Sequence, residues 1–149
     1  MSRLTTRTLE VPGAVLTYDV REPASPSGRP PLFVFGSPMA ASGFAQLVGH
    51  LDDRTVLTYD PRGAERSRLT AGGQVTAQLH AADLHRVVED TGLGPVDAFG
   101  SSGGGAFALQ WVVDHPGDVR TLVSHEPPLV TLLEDHDVAQ RVQVGIVST

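Results

Sequence analysis

The sequence predicts an α/β fold with a mostly parallel sheet, helices on both faces of that sheet and an antiparallel hairpin at the N-terminus. Short segments typical of strands follow one another along the 149 residues, and segments with helical apolar stripes separate them. Hydrophobic residues make up 40% of the chain and no internal repeat is found, so we expect a single domain over residues 1–149. In such a sheet the parallel strands end at a common rim, where ligands bind.

The predicted strands rest on composition and on the turns between them. The first two, at residues 4–10 and 15–20, are joined by Pro12-Gly13, which favours a tight hairpin turn. Residues 21–31 are rich in Pro, Ser and Gly and predict a surface loop. The next strand, residues 32–35, is continuously apolar, as expected where both faces of a parallel sheet are covered. Further strands are predicted at residues 55–59, 96–99 and 119–124.

Three helices are predicted between these strands. Ser42 is a candidate N-cap for a first helix, in which Phe44, Leu47, Val48 and Leu51 share one face. Thr76 and Gly92 are the candidate N-cap and C-terminal stop of a second helix. The third, at residues 104–115, is apolar nearly all round, so we expect it to be largely buried. Residues 129–140 are a candidate for one more helix.

Composition excludes several classes of function. The net charge is −6 and no basic patch is present, which argues against a nucleic-acid partner. Cysteine is absent, so disulfides and thiolate metal sites are excluded, and no motif predicts a cofactor or a metal. No apolar run reaches transmembrane length, and the N-terminal residues lead directly into polar ones. We therefore expect no membrane association and a cytoplasmic location.

A serine flanked by small residues stands between a predicted strand and a predicted helix, in the segment Gly100-Ser101-Ser102-Gly103-Gly104. A turn this tight leaves room for little but glycine beside the serine, and it exposes the hydroxyl at the end of the sheet. Ser102 is the candidate nucleophile, because Ser101 lies one residue early for the small-x-Ser-x-small pattern. A phosphate-binding loop at the same helix N-terminus is disfavoured, because the lysine and the glycine spacing of such loops are missing.

Three segments together resemble the α/β-hydrolases of the esterase and haloperoxidase-like branch. They are Phe35-Gly36-Ser37-Pro38, the stretch from Tyr59 to Ser67 that contains Asp60-Pro61-Arg62-Gly63, and the serine turn. The resemblance extends from the first hairpin to Pro128 and corresponds to the N-terminal half of such an enzyme, so a truncated α/β-hydrolase fold is expected. Two positions depart from the family pattern, which usually has histidine where Phe35 stands and glycine where Glu65 stands.

The resemblance implies roles for individual residues. Ser102 would attack an acyl carbonyl, and the N–H groups of Ser37 and Gly103 would form the oxyanion hole. Glu126 is a possible acid, although a solvated carboxylate is the more frequent role of such a residue. His125 is a possible substitute base, and His136 is a weaker one. Asp60 and Arg62 are expected to brace their loop.

No residue of this chain stands where the family keeps its catalytic histidine, after the last strand. The resemblance implies a serine hydrolase that acts on a small-molecule substrate through an acyl-enzyme, and the apolar rim suits a small, uncharged ester-like substrate. The alternative is a catalytically dead or truncated remnant that serves as a binding or partner-dependent module. A nucleotide-binding α/β domain lacks its glycine fingerprint here. The strand at residues 119–124 would form an open apolar edge, through which we expect a possible homodimer.

Overall fold

The computed structural model describes residues 1–132, 134, 135, 137, 138, 140 and 141. The described strands are β1 (Arg3–Val11), β2 (Ala14–Glu22), β3 (Leu32–Ser37), β4 (Val56–Asp60), β5 (Arg68–Leu69), β6 (Val96–Ser102) and β7 (Val119–His125). The α-helices are α1 (Ala45–Val48), α2 (Ala77–Thr91) and α3 (Gly103–Asp114), and the 3-10 helices cover Ala41–Phe44, Pro116–Asp118 and Val130–Leu132.

The described strands form a single sheet in the order β1-β2-β4-β3-β6-β7, with β5 paired to β2. The N-terminal hairpin is antiparallel, and β2 also runs antiparallel to β4. All pairs from β4 through β3 and β6 to β7 are parallel. The predicted fold class and the N-terminal hairpin are therefore confirmed. At the hairpin turn Gly13 has a φ of 79°, a conformation that suits glycine.

The core lies on both faces of the sheet because successive side chains of a strand point to opposite sides. On one face Phe33 and Phe35 pack edge-to-face against Trp111 of α3, with ring centroids 6.0 and 6.1 Å apart. Helices α2 and α3 cover this face. On the other face Val34 packs with Phe44 and Val48, beneath the short helical segment that includes α1.

Helix α2 confirms both predicted caps. The hydroxyl oxygen of Thr76 accepts a hydrogen bond from the N–H of Leu79 at 3.2 Å, and Gly92 ends the helix with a φ of 66°. The prediction of a helix capped by Ser42 is wrong. Ser42 lies inside a 3-10 helix that already begins at Ala41, and the Asp60 carboxylate accepts the N–H of Ala41 at 3.0 Å. Helix α1, which follows, is four residues long and has no side-chain cap.

Helix α3 is less buried than its composition suggested. Gly104, Ala108 and Trp111 are buried against the sheet and α2, whereas Leu109 and Val113 are 37% and 75% exposed. The prediction of a largely buried helix is wrong for this outer face, because no element among the described residues covers it.

Two further predictions concern the end of the chain. A 3-10 helix at Val130–Leu132 opens the segment predicted as a fourth helix, and the rest of that prediction, like His136 and residues 142–149, falls at least partly outside the described residues. Strand β7 pairs only with β6 among the described strands, and Val123 on it is 51% exposed. The described helices include none with the length and apolarity that a membrane crossing requires.

Candidate functional site

Ser102 occupies a strained position between β6 and α3. Its φ of 55° and ψ of −125° place a non-glycine residue at positive φ, where strain of about 1–3 kcal/mol is usual. The side chain is exposed at the carboxyl end of the sheet. A serine held in this way between a strand and a helix has the geometry of a nucleophile elbow.

Glycine is required around this turn because backbone packs directly on backbone. A Cβ atom added to Gly104 would lie 2.7 Å from Cα of Gly36 on β3, and one added to Gly100 would lie 2.7 Å from the carbonyl oxygen of Gly104. Real Cβ atoms do not approach other atoms so closely. The small residues predicted from the sequence motif therefore hold the start of α3 against the end of β3.

The two predicted oxyanion-hole residues lie on either side of this contact. The β3–β6 register pairs Ser37 with Ser102, and a Cβ added to Gly103 would be 2.9 Å from the carbonyl oxygen of Ser37. Gly103 is the first residue of α3, so its N–H has no carbonyl partner within the helix. Two amides close to a serine hydroxyl provide the kind of donors that stabilise a developing oxyanion.

A cavity of about 450 Å³ opens over these residues. It is lined by Ser37, Pro38, Met39, Ala40, Ser42, Gly43, Glu65, Ser101 and Ser102. We call it the serine cavity. A second cavity of about 390 Å³ shares Ser42 and Glu65 with it, and α1, β1, β2 and β4 supply most of the remaining lining residues.

His125 lies at the same rim but contacts the neighbouring serine. Its Nδ1 is 3.3 Å from Oγ of Ser101, and its ring stacks on Phe99 with centroids 5.7 Å apart. The β6–β7 register pairs Ser101 with His125, while the turn at Ser102 carries the next hydroxyl away from β7. Within the described part of the chain, no hydrogen bond joins Ser102 to an imidazole.

Glu126 follows β7 in an exposed position with a φ of 46°. In the ranges that the structure describes, its carboxylate makes no hydrogen bond or ion pair. The structure thus brings Ser37, Ser102 and Gly103 together. It places His125 against Ser101, the residue before Ser102, and leaves Glu126 exposed to solvent.

Asp60 braces the loop after β4, as expected from the sequence. The carboxylate is fully buried and accepts hydrogen bonds from Nε of Arg66 at 2.7 Å and from the N–H of Ala41 at 3.0 Å. Burial alone would raise the pKa of Asp60, but these hydrogen bonds and the Arg66 charge together hold its pKa below the usual value. The hydroxyl of Ser67 donates to the carbonyl oxygen of Asp60 at 2.6 Å.

Arg62 braces the same loop through a partner that sequence reasoning missed. Its Nε and Nη2 donate to the two carboxylate oxygens of Asp83 on α2 at 2.8 and 2.7 Å. Both side chains are buried, and the Asp83 carboxylate raises the pKa of Arg62. The sequence did contain a signal for this ion pair. Asp83 has apolar neighbours on the predicted helix, and a carboxylate within a buried apolar stripe needs a cation as a partner.

The sequence also gave no sign of the contact between Glu65 and Ser42. The hydroxyl of Ser42 donates to Oε1 of Glu65 at 2.8 Å, across 23 residues of sequence. Glu65 has a φ of 37°, and its carboxylate is the only charged side chain among the described residues that line the serine cavity.

One group of side chains has the composition of a metal site. His85, His115 and Asp118 offer ligand atoms within 4.8 Å of one another, near the end of α3 that is remote from Ser102. The two imidazole rings stack with centroids 3.7 Å apart and an angle of 4°, so no ion can lie in both ring planes. Asp118 accepts hydrogen bonds from His85 and Trp111 at 2.8 and 2.7 Å. These contacts act as a brace between α2 and α3.

Comparison with known proteins gives consistent relationships. The profile of the alpha/beta hydrolase fold family matches residues 32–148. The chain is 37% identical over 140 residues to an uncharacterized hydrolase, YraK, of Bacillus subtilis, and covers 49% of that protein. It is 34% identical over 105 residues, 68% of this chain, to a proline iminopeptidase of Neisseria meningitidis, of which it covers 34%.

A solved structure of a probable hydrolytic enzyme from Pseudomonas aeruginosa PAO1 superimposes on 86% of this chain and 42% of its own, with a TM-score of 0.75 and 23% identity. The chain thus spans half or less of the length of each relative named here. The range that the family profile matches, residues 32–148, includes the turn at Ser102.

Proposed function

This chain belongs to the α/β-hydrolase fold family, and on that premise we propose that it is a serine hydrolase in which Ser102 attacks the carbonyl of a small ester-like substrate. The observation that carries the proposal is the positive φ of Ser102 above a backbone-to-backbone contact. Strain of this kind persists only where the surrounding structure enforces it, and it is concentrated at reactive residues.

The chemistry follows from the arrangement of Ser102, Ser37 and Gly103. Oγ of Ser102 forms a bond to the acyl carbon while a base takes its proton, and the carbonyl oxygen becomes an oxyanion. The N–H groups of Ser37 and Gly103 donate to that oxyanion, and one such donor typically contributes about 3 kcal/mol of transition-state stabilisation. The intermediate collapses to an acyl-enzyme as the alcohol leaves with a proton, and water then hydrolyses the acyl-enzyme.

The candidates for base and orienting acid that the described residues offer are His125 and Glu126. His125 is the imidazole at this rim, and a change in its side-chain torsions would have to redirect it from Ser101 to Ser102. Glu126 would have to turn from solvent towards the ring. Without such a rearrangement, the oxyanion donors and substrate positioning supply the remaining rate enhancement.

A binding or partner-dependent module is the second candidate function. It is favoured by the absence of a hydrogen bond between Ser102 and any imidazole of the described residues. In this case the serine cavity would hold a ligand without bond cleavage, or would become reactive when another polypeptide supplies the base.

Covalent labelling by a fluorophosphonate tests the first function against the second. We expect the chain to be labelled at Ser102, identified by peptide mass spectrometry, and we expect Ser102→Ala to abolish labelling. Ser101→Ala is the matched control, because it removes the adjacent hydroxyl and should retain the label. Failure of the folded chain to react, or a label that disappears only in Ser101→Ala, would contradict the assignment of Ser102.

A further inference from the structure

We propose that Glu65 makes the serine cavity selective for substrates that carry a cationic, alkyl-substituted group near the scissile acyl bond. This inference rests on the proposed function of Ser102 and adds a substrate class to it. Its basis is the position of one carboxylate in a cavity that contains no other charged side chain among the described residues.

The backbone at Glu65 shows that its position is enforced. A φ of 37° suits glycine, and a larger residue there costs free energy unless the structure requires it. The carboxylate is also held at its outer end, because Oε1 accepts the hydroxyl hydrogen of Ser42 at 2.8 Å. Both residues line the serine cavity, so the negative charge is fixed at its wall.

The cations nearby donate to acceptors other than Glu65. Arg66, the next residue, donates to Asp60 at 2.7 Å and to Asp19 at 2.8 Å. Arg21 donates to the carbonyl oxygen of Val48 at 3.2 Å and lines the second cavity, not the serine cavity. Within the described ranges, no arginine therefore neutralises Glu65 by direct contact. An incoming cation would meet an uncompensated charge, and an incoming anion would be repelled.

The lining of the second cavity is the reason for proposing alkyl substituents on the cation. Ser42 and Glu65 line it as well, together with the apolar side chains of Leu4, Ala45, Val48 and Val56. The other polar and charged lining residues are Asp19, Thr58, Arg21 and Arg66, and both arginines donate to the acceptors named above. A compact cation with methyl groups could contact the Glu65 carboxylate with its charge while the methyl groups face the apolar side chains.

Paired phosphonates provide the test. The probes are 4-nitrophenyl methylphosphonate esters whose second alkoxy group is 3,3-dimethylbutyl or its cationic isostere 2-(trimethylammonio)ethyl. Oγ of Ser102 bonds to phosphorus, the bond to the nitrophenoxy oxygen breaks, 4-nitrophenolate departs with the electron pair, and the serine proton passes to the base or to water. The release of nitrophenolate gives the labelling rate for each probe.

We expect the chain to react faster with the cationic probe by roughly two- to fivefold at low salt, the range for one exposed charge pair. The preference should fall as ionic strength rises and disappear in Glu65→Gln. Glu10→Gln, which removes the same charge from the exposed face of β1, should keep the preference. Equal rates for the two probes, or a preference that survives Glu65→Gln, would overturn the inference while leaving Ser102 as nucleophile.

A chain that reacts with neither probe would contradict the proposed function instead. The selectivity is then measured by binding alone, with choline and 3,3-dimethylbutanol titrated into ¹⁵N-labelled protein. Amide shifts of Ser42 and Gly43 that respond to choline at lower concentration, and that lose this difference in Glu65→Gln, support the charge selectivity. Shifts that are the same for both alcohols refute it.

Discussion

Replacing Gly104 by alanine tests whether backbone packing positions the nucleophile. An added Cβ would lie 2.7, 2.9 and 3.2 Å from Cα, C and N of Gly36, which are main-chain atoms of a central strand and cannot rotate away. The start of α3 must therefore move off β3 by about 0.7 Å to bring the closest of these contacts from 2.7 to 3.4 Å, where ordinary contact distances begin. Overpacking of this kind costs about 3 kcal/mol, and the better helix propensity of alanine returns about 1 kcal/mol.

We therefore expect Gly104→Ala to lower the free energy of unfolding by about 2 kcal/mol, or the Tm by roughly 4–8 °C. Urea unfolding followed by circular dichroism measures the first quantity. The same shift should slow labelling of Ser102, because Gly103 moves away from Ser37. Gly72→Ala is the control, since an added Cβ there meets nothing within 4 Å. A Gly104→Ala protein as stable and as reactive as the Gly72→Ala protein would refute the reasoning.

Four other predictions each concern one residue or one pair of residues. Arg62→Met strands the buried carboxylate of Asp83 and should cost about 3–5 kcal/mol by urea unfolding, while Arg62→Met combined with Asp83→Leu should recover most of that loss. Burial and the Arg62 charge lower the pKa of His80 to about 4. Because the unfolded chain then binds a proton at a higher pH than the folded chain, stability should fall as pH drops from 6.5 towards 4. His80→Phe should remove this contribution to the pH dependence of the melting temperature. Glu65→Gly relieves a positive φ and should raise stability by about 1 kcal/mol in thermal melts, at the expense of cation selectivity. Val123→Lys should weaken any self-association through the edge of β7, measured by sedimentation velocity. An unchanged distribution of sedimentation coefficients would mean that any association uses another surface.

The sequence predicted those features that depend on local chemistry. Thr76 and Gly92 cap α2 because a threonine oxygen and a glycine at positive φ act within one turn of the backbone. The glycines beside Ser102 were also predictable, because a strand-to-helix turn leaves no room for side chains. Both inferences needed only neighbouring residues.

The failed predictions depend on contacts between distant segments. Ser42 looked like a helix cap, but the helical segment begins before it, at Ala41, whose N–H the buried carboxylate of Asp60 accepts, and the hydroxyl of Ser42 donates to Glu65. Val113 lies within an apolar helix whose outer face is exposed, which composition alone does not reveal. The sequence also could not show which hydroxyl His125 contacts, because strand register decides that the imidazole faces Ser101, and the role of His125 as a base stays a prediction.

The close approach of Gly104 to Gly36 has a consequence for how this site could be altered. Main-chain atoms, which every amino acid shares, fix the location of Ser102, so the surrounding side chains are free to vary without displacing it. Exchanging Met39, Ser42 or Glu65 should therefore reshape what the cavity admits and leave Oγ of Ser102 where it is. A library confined to those three positions would sample new selectivities on an unchanged scaffold.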